Sequence, residues 1–354
     1  MPSLRALRSV PLWAMLLVAL GGPAAAQKTP DVSLKPDDKP GAAGKPIKVF
    51  ILMGQSNMVG MGDIGPEATK GTLKYLTKTD KKYPWLVDGD KWTERKDVYY
   101  YDARVKKGAP LGPTANNGSA IGPELGFGYV MGHVLHEPVL VLKSCIGNRS
   151  LGWDLLPPGS KPYTFEGKTY AGYKDTPDSW VEGQPKKEVK WYAGKQYDDD
   201  MTNAKEALKA IAKWYPGYKD QGYEIAGFVW WQGHKDTGSA AHASKYENLE
   251  RLIESLRKDY DAPKAKFVLA TGCGNPGREG LGLKIAEAQL AIGDAKKYKK
   301  FDGNVKAVDS RDLWREADAS PKNQGYHYNR NAETYLETGL RLGWAMAEML
   351  ENKK

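Results

Sequence analysis

The apolar runs of the chain recur at intervals, and most are followed by a segment of helical period. The first, Ile47–Met53, is seven residues rich in β-branched and large side chains, with no alternation of apolar and polar positions. Such a run suits a strand buried on both faces, as in a parallel sheet. Further strands are predicted at Val98–Tyr101, Pro138–Cys145, Ile225–Trp231, Lys266–Thr271 and Val305–Val308. Helices are predicted over Pro123–Leu135, Thr202–Tyr215, Ser244–Tyr260, Leu281–Ile292 and Asn331–Leu350. In the third of these, Tyr246, Leu249, Leu252, Ile253 and Leu256 fall on one face. Strands and helices alternate without an internal repeat. This predicts one α/β domain over residues 46–352, a doubly wound three-layer sandwich with a mostly parallel sheet.

The polar stretches divide the rest. Residues 27–45, rich in Lys, Pro, Asp and Gly, read as a flexible linker. Residues 61–97 read as a long excursion and 103–121 as a loop. A Tyr/Trp-rich insertion spans about 152–200 and carries Trp153, Tyr163, Tyr170, Tyr173, Trp180 and Trp191. Loops of that length are usually functional. Its aromatics either stack on sugar rings or make a satellite core under the loop, and packing is the commoner use.

Arg5 and Arg8 precede an apolar stretch from Val10 to Leu20, and Ala24-Ala25-Ala26 offers a small-residue cleavage site. These three parts predict a secretory signal peptide over residues 1–26, cleaved near Ala26, and hence a periplasmic or secreted protein. No other stretch approaches membrane-spanning length, so no stable membrane insertion is expected once the signal is removed.

The chain has 52 Lys and Arg against 43 Asp and Glu, a formal +9. The excess is dispersed, and no nucleic-acid-binding motif accompanies it, so nucleic acid is not an expected partner. Two cysteines, Cys145 and Cys273, sit at the ends of predicted strands, where buried unpaired thiols are expected. His133 and His136 are i,i+3 neighbours at a helix end. With no third ligand nearby they fit the helix dipole better than a metal pair.

In open α/β sheets, sites lie beyond the C-terminal strand ends. The first strand ends in Gly54-Gln55-Ser56-Asn57 and then Met58-Val59, which can open a helix. A serine on a strand–turn–helix stands where its own N–H can help hold an oxyanion, and the same residues would equally make a serine helix cap. The tetrad is not the G-x-S-x-G elbow, so the chain does not read as an ordinary α/β-hydrolase.

Gly54-Gln55-Ser56-Asn57-Met58 resembles the first block of the SGNH (GDSL-like) hydrolases, in their sialate O-acetylesterase-like, carbohydrate esterase family 6 branch. Ser144-Cys145-Ile146-Gly147, with Ser150-Leu151 and Trp153, resembles the second block. Trp230-Trp231-Gln232-Gly233-His234-Lys235-Asp236 resembles the third, W-Y-Q-G-E-S-D, with His234 and Lys235 in place of the usual Glu and Ser. The resemblance implies a flavodoxin-like fold and an exported serine esterase that removes O-acetyl groups from a carbohydrate. It further implies Ser56 as nucleophile, His327 as general base, and the Gly147 N–H and Gln232 amide as oxyanion donors beside the N–H of Ser56. Gln55, Asn57, Asn148, Arg149 and His234 flank these positions and are expected at the substrate, His234 alternatively as a hydrogen-bonded support. No metal or organic cofactor is implied.

The family writes its last block D-x-x-H, whereas Gln324 occupies the Asp position before His327. Gln324 could orient the ring but not supply charge. Either the pair works as a Ser–His dyad with a backbone carbonyl behind it, or Glu333, Asp309, Asp312 or Asp236 fills in. The alternative is a glycan-binding protein on the same fold with weakened or lost catalysis. An SGNH enzyme acting on acyl chains is more distant, since the insertion lacks an aliphatic stripe to hold a chain.

Overall fold

The computed structural model describes residues 29–187 and 189–351. The expected signal peptide lies outside the described residues. The central sheet has seven strands: β1 (Ile47–Gly54), β2 (Arg95–Asp102), β3 (Lys107–Leu111), β4 (Val139–Lys143), β5 (Tyr223–Trp231), β6 (Lys266–Ala270) and β7 (Val305–Val308). Their order is β7-β6-β5-β1-β4-β2-β3, parallel throughout except for the edge strand β3.

The unalternating apolar runs follow from burial on both faces. Along β1, Phe50 and Leu52 enter one core while Ile47, Val49, Ile51 and Met53 enter the other. On β5, Val229 and Trp231 go to the first, Phe228 and Trp230 to the second. The first core is covered by α2 (Glu124–Val134) and α6 (Ala332–Glu351). The second is covered by α3 (Lys195–Lys209), α4 (Asn248–Asp259) and α5 (Gly280–Ile292). The chain leaves β1 toward β2 and β3, returns to β4 beside it, and then builds β5 to β7 on its other side. β1 is therefore flanked by β4 and β5, and their three C-terminal ends lie together at the reversal of strand order, where open α/β sheets place their sites.

Three expectations need correction. The stretch 103–121 is not all loop, because Lys107–Leu111 pairs antiparallel with β2 at the sheet edge, a place where Pro110 costs no central ladder bond. Helix α3 begins at Lys195 rather than near 202. Its first turns already set Tyr197 and Met201 into the second core, in step with Ala204 and Leu208, with Gln196 and Asp200 buried beside them and bonded to each other at 2.8 Å. The helix predicted over 244–260 is two pieces, Ala240–Ser244 and α4. The break sends the Tyr246 hydroxyl inward onto the Gln232 carbonyl, at 3.0 Å.

Leu34 is buried in the first core, and the Ala42 N–H donates to the His136 carbonyl at 2.7 Å, so part of the expected linker lies against the domain. Within 61–97, Leu73, Leu76, Trp85 and Leu86 are buried in that core too. The 152–200 stretch carries a three-stranded sheet, Tyr163–Phe165, Lys168–Tyr170 and Ser179–Trp180, over a small cluster of Leu156, Ala171 and Ala193 against which Trp153 and Trp180 pack. Cys145 and Cys273 are buried and unpaired. No helix among the described residues is long and apolar enough to cross a membrane.

Candidate active site

Strand β1 ends at Gly54, whose φ of 150° and close approach to the Trp231 carbonyl leave no room for a Cβ. The turn this permits puts Ser56 at the start of the one-turn helix α1 (Ser56–Val59). The carbonyl of Val59 at its end accepts from the Lys143 ammonium at 3.0 Å. Lys143 is 1% exposed and also pairs with the buried Glu124 at 2.7 Å, so a buried cation at the end of β4 clamps the serine turn from beneath.

His327 comes from the opposite end of the chain. Its Nε2 lies 2.7 Å from Ser56 Oγ. It opens a turn in which four successive residues, His327, Tyr328, Asn329 and Arg330, have φ between 48° and 61°. Left-handed backbone costs non-glycine residues about 1–2 kcal/mol each, and such turns persist where surroundings over-determine them. Here Asn329 Oδ1 accepts the Gln324 and Gly325 N–H groups at 3.1 and 3.0 Å, and its amide donates to the Arg315 carbonyl at 3.1 Å. Arg330 binds the Asp63 carboxylate at 2.8 and 2.5 Å, and the Tyr335 hydroxyl donates to the His327 carbonyl at 3.2 Å.

No carboxylate among the described residues bonds the His327 ring. Asp309 holds Arg311, Asp312 holds Arg341, and Glu333 holds Lys82 and Arg315. Asp236 is buried, accepting from the Leu151 and Gly152 N–H groups and from the Gln232 amide. Gln324 donates to the Tyr326 carbonyl instead of the ring. Burial, then the neighbouring His234 and Arg330, lower the His327 pKa to about 4. The imidazole is thus neutral and proton-accepting at neutral pH.

Ser56 and His327 lie in a cleft of about 740 Å³. Gly147 lies against Ser56, a Cβ there falling 3.4 Å from that of the serine, and the N–H groups of Ser56 and Gly147 have no acceptor among the described residues. Of the expected substrate contacts, Gln55, Asn148 and His234 line the cleft. Asn57 does not: it is wholly buried, with Oδ1 accepting from Tyr335 at 3.1 Å. Arg149 turns away to Gln196 and the face of Trp191. Gln232 is fully buried, its amide N–H groups directed to Gln55, the Arg149 carbonyl and Asp236 at 3.2, 2.9 and 2.5 Å. It ties the ends of β1, β4 and β5 together and has no spare N–H for an oxyanion. His133 packs edge-on to Trp344, and no group of three or more His, Cys, Asp or Glu among the described residues could hold a metal.

Residues 46–167 and 177–348 match the family described as carbohydrate esterase, sialic acid-specific acetylesterase. The chain belongs to this family. It is a carbohydrate O-acetylesterase on an SGNH-like α/β fold. Among solved structures, a protein from Arabidopsis thaliana is 19% identical, with TM-score 0.52 over 87% of this chain and 99% of that one. A carbohydrate acetylesterase from Xanthomonas citri is 12% identical, with TM-score 0.40 over 84% of this chain and 55% of that one. NanS is 14% identical, with TM-score 0.37 over 80% and 87%. No curated protein matches the chain.

Several residues of the esterase's cleft carry no sequence signal. Asp178 and His242 line it, with His242 Nε2 and Asp178 Oδ1 at 2.9 Å, yet one sits in the insertion and the other on the short helix after β5. Tyr326, 43% exposed, stands edge-on to His327 and faces the His234 ring.

Proposed function

We propose that the esterase is exported and removes O-acetyl groups from carbohydrate by a Ser–His dyad. The observation that carries the reading is the 2.7 Å contact between Ser56 Oγ and His327 Nε2 at the floor of the cleft. Ser56 Oγ attacks the acetyl carbonyl carbon while His327 Nε2 takes its proton. The oxyanion is held by the N–H groups of Ser56 and Gly147, each worth about 3 kcal/mol of barrier. The tetrahedral adduct collapses, the sugar oxygen leaves with the proton from Nε2, and the acetyl group stays on Ser56. Water, deprotonated by the same nitrogen, then attacks the acetyl-serine; the adduct collapses with cleavage of the bond to Ser56 Oγ, which takes the proton back from Nε2 as acetate leaves.

The dyad does without a carboxylate because its hold on His327 is on the backbone. The left-handed turn, Asn329 and Tyr335 set where the ring stands, and burial keeps it neutral. Export rests on the charge and hydropathy pattern of residues 1–26.

Acetate release from 4-nitrophenyl acetate and from acetylated glycans, by the parent chain beside Ser56→Ala and His327→Ala, tests the mechanism. Both variants are expected to lose about three orders of magnitude or more in kcat/KM. Hydrolysis surviving Ser56→Ala would overturn it.

A further inference from the structure

The segment from Gly147 to Asp154 leads away from the nucleophile along the cleft. Gly147 touches Ser56, Ser150 and Asp154 line the cleft, and the backbone of Gly152 lies directly beneath the His242 ring. His242 is 7% exposed, and its Nε2 is bonded to Asp178 Oδ1. Burial pulls its pKa down, but the Asp178 bond and the charges of Asp178, Asp236 and Asp154 outweigh burial and raise it. The buried His242 ring thus holds one oxygen of Asp178 in place, while the second oxygen has no partner among the described residues.

Asp154 is built the same way. It is 7% exposed, one of its oxygens accepts the Ser150 N–H and hydroxyl at 2.9 and 3.1 Å, and the other has no partner among the described residues. Half-buried Trp153 lines the same part of the cleft. Fixed carboxylate oxygens beside an indole are what a sugar ring needs: acceptors for hydroxyl protons and an apolar plane for its C–H face. They repel a carboxylate. Lys235, the one lysine lining the cleft among the described residues, is exposed, so water screens it more than it screens Asp154.

Building on the acetylesterase reading, we propose that Asp178, held by His242, and Asp154 form a sugar-hydroxyl subsite. This subsite makes the cleft select acetyl esters of uncharged sugars over carboxylated ones such as O-acetylated sialic acid.

The test compares kcat/KM of the wild-type chain on an acetylated neutral methyl glycoside and on an O-acetylated sialic acid, and repeats both with Asp178→Asn. Wild type is expected to favour the neutral ester by about tenfold or more, the worth of one charge-assisted hydrogen bond. Asp178→Asn is expected to erode that preference, mainly through KM on the neutral sugar. A wild-type preference for the carboxylated ester, or equal losses on both in a folded Asp178→Asn protein, would overturn the subsite. The wild-type comparison needs no variant, so a misfolded Asp178→Asn leaves the test standing. Wild-type hydrolysis of 4-nitrophenyl acetate separates the two layers: activity there without the expected preference sinks the subsite alone, and no hydrolysis of any acetate ester sinks the reading beneath it.

Discussion

Ser56 and His327, 271 positions apart in the chain, meet at 2.7 Å with no carboxylate bonded to the far side of the imidazole among the described residues. In triads, a carboxylate stabilises the imidazolium that forms as serine loses its proton. Here burial, His234 and Arg330 all disfavour that imidazolium. The consequence is a weaker base that stays unprotonated further into the acid range.

The pH dependence follows with a definite sign. A histidine with an ordinary pKa loses its basic form below about pH 6.5. Held at about 4, His327 keeps it. The kcat/KM for 4-nitrophenyl acetate is therefore expected to be level from pH 7 down to about 5 and to fall as pH drops through about 4. An acid limb near 6.5 in a pH–rate profile would contradict the burial argument.

His234 lines the cleft beside His327 and lowers its pKa. His234→Glu replaces a potential cation with an anion, which favours the charged imidazole. The acid limb of the profile is expected to move up by about one unit or more. A limb that stays put would show that His234 does not act electrostatically on His327.

The clamp beneath the serine turn is an energetic commitment. Lys143→Met leaves Glu124 and the Val59 carbonyl buried without their cation. Breaking such a pair costs about 3–5 kcal/mol. Urea unfolding should show a loss of that size, and pairing the change with Glu124→Gln should recover part of it. Additive losses in the double variant would contradict a coupled pair.

Asn329 makes the bonds that hold the His327 turn left-handed. Asn329→Ala removes three of them and is expected to cost about 2 kcal/mol of stability and to lower kcat more than it raises KM. The kcat/KM split checks this, since a purely structural loss would leave the turnover of the folded fraction unchanged.

The strand ends were legible because apolar runs between helical segments report burial on both faces, and β1, β4 and β5 stand where those runs fall. The pairing of Ser56 with His327 was legible only through resemblance, since nothing local to either residue announces the other. Gln232 shows the limit. Its motif is present, but the roles of a buried amide depend on which acceptors surround it, and Gln55, Asp236 and the Arg149 carbonyl arrive from three different strand ends. Asp178 and His242 were illegible because sixty-four positions and an aperiodic insertion separate them. Helix α3 begins earlier than expected because its apolar face runs back through Met201 to Tyr197, where the run Asp198-Asp199-Asp200 between them obscures it in the sequence.

The central claim is that Ser56 carries the acetyl group between the two half-reactions. Rapid mixing of the chain with 4-nitrophenyl acetate, an acid quench and mass spectrometry of the digested protein read this directly. An acetyl group on the peptide containing Ser56, absent from Ser56→Ala, is the expected result. Turnover of the ester with no acetylated Ser56 peptide, and with Ser56→Ala still active, would contradict it.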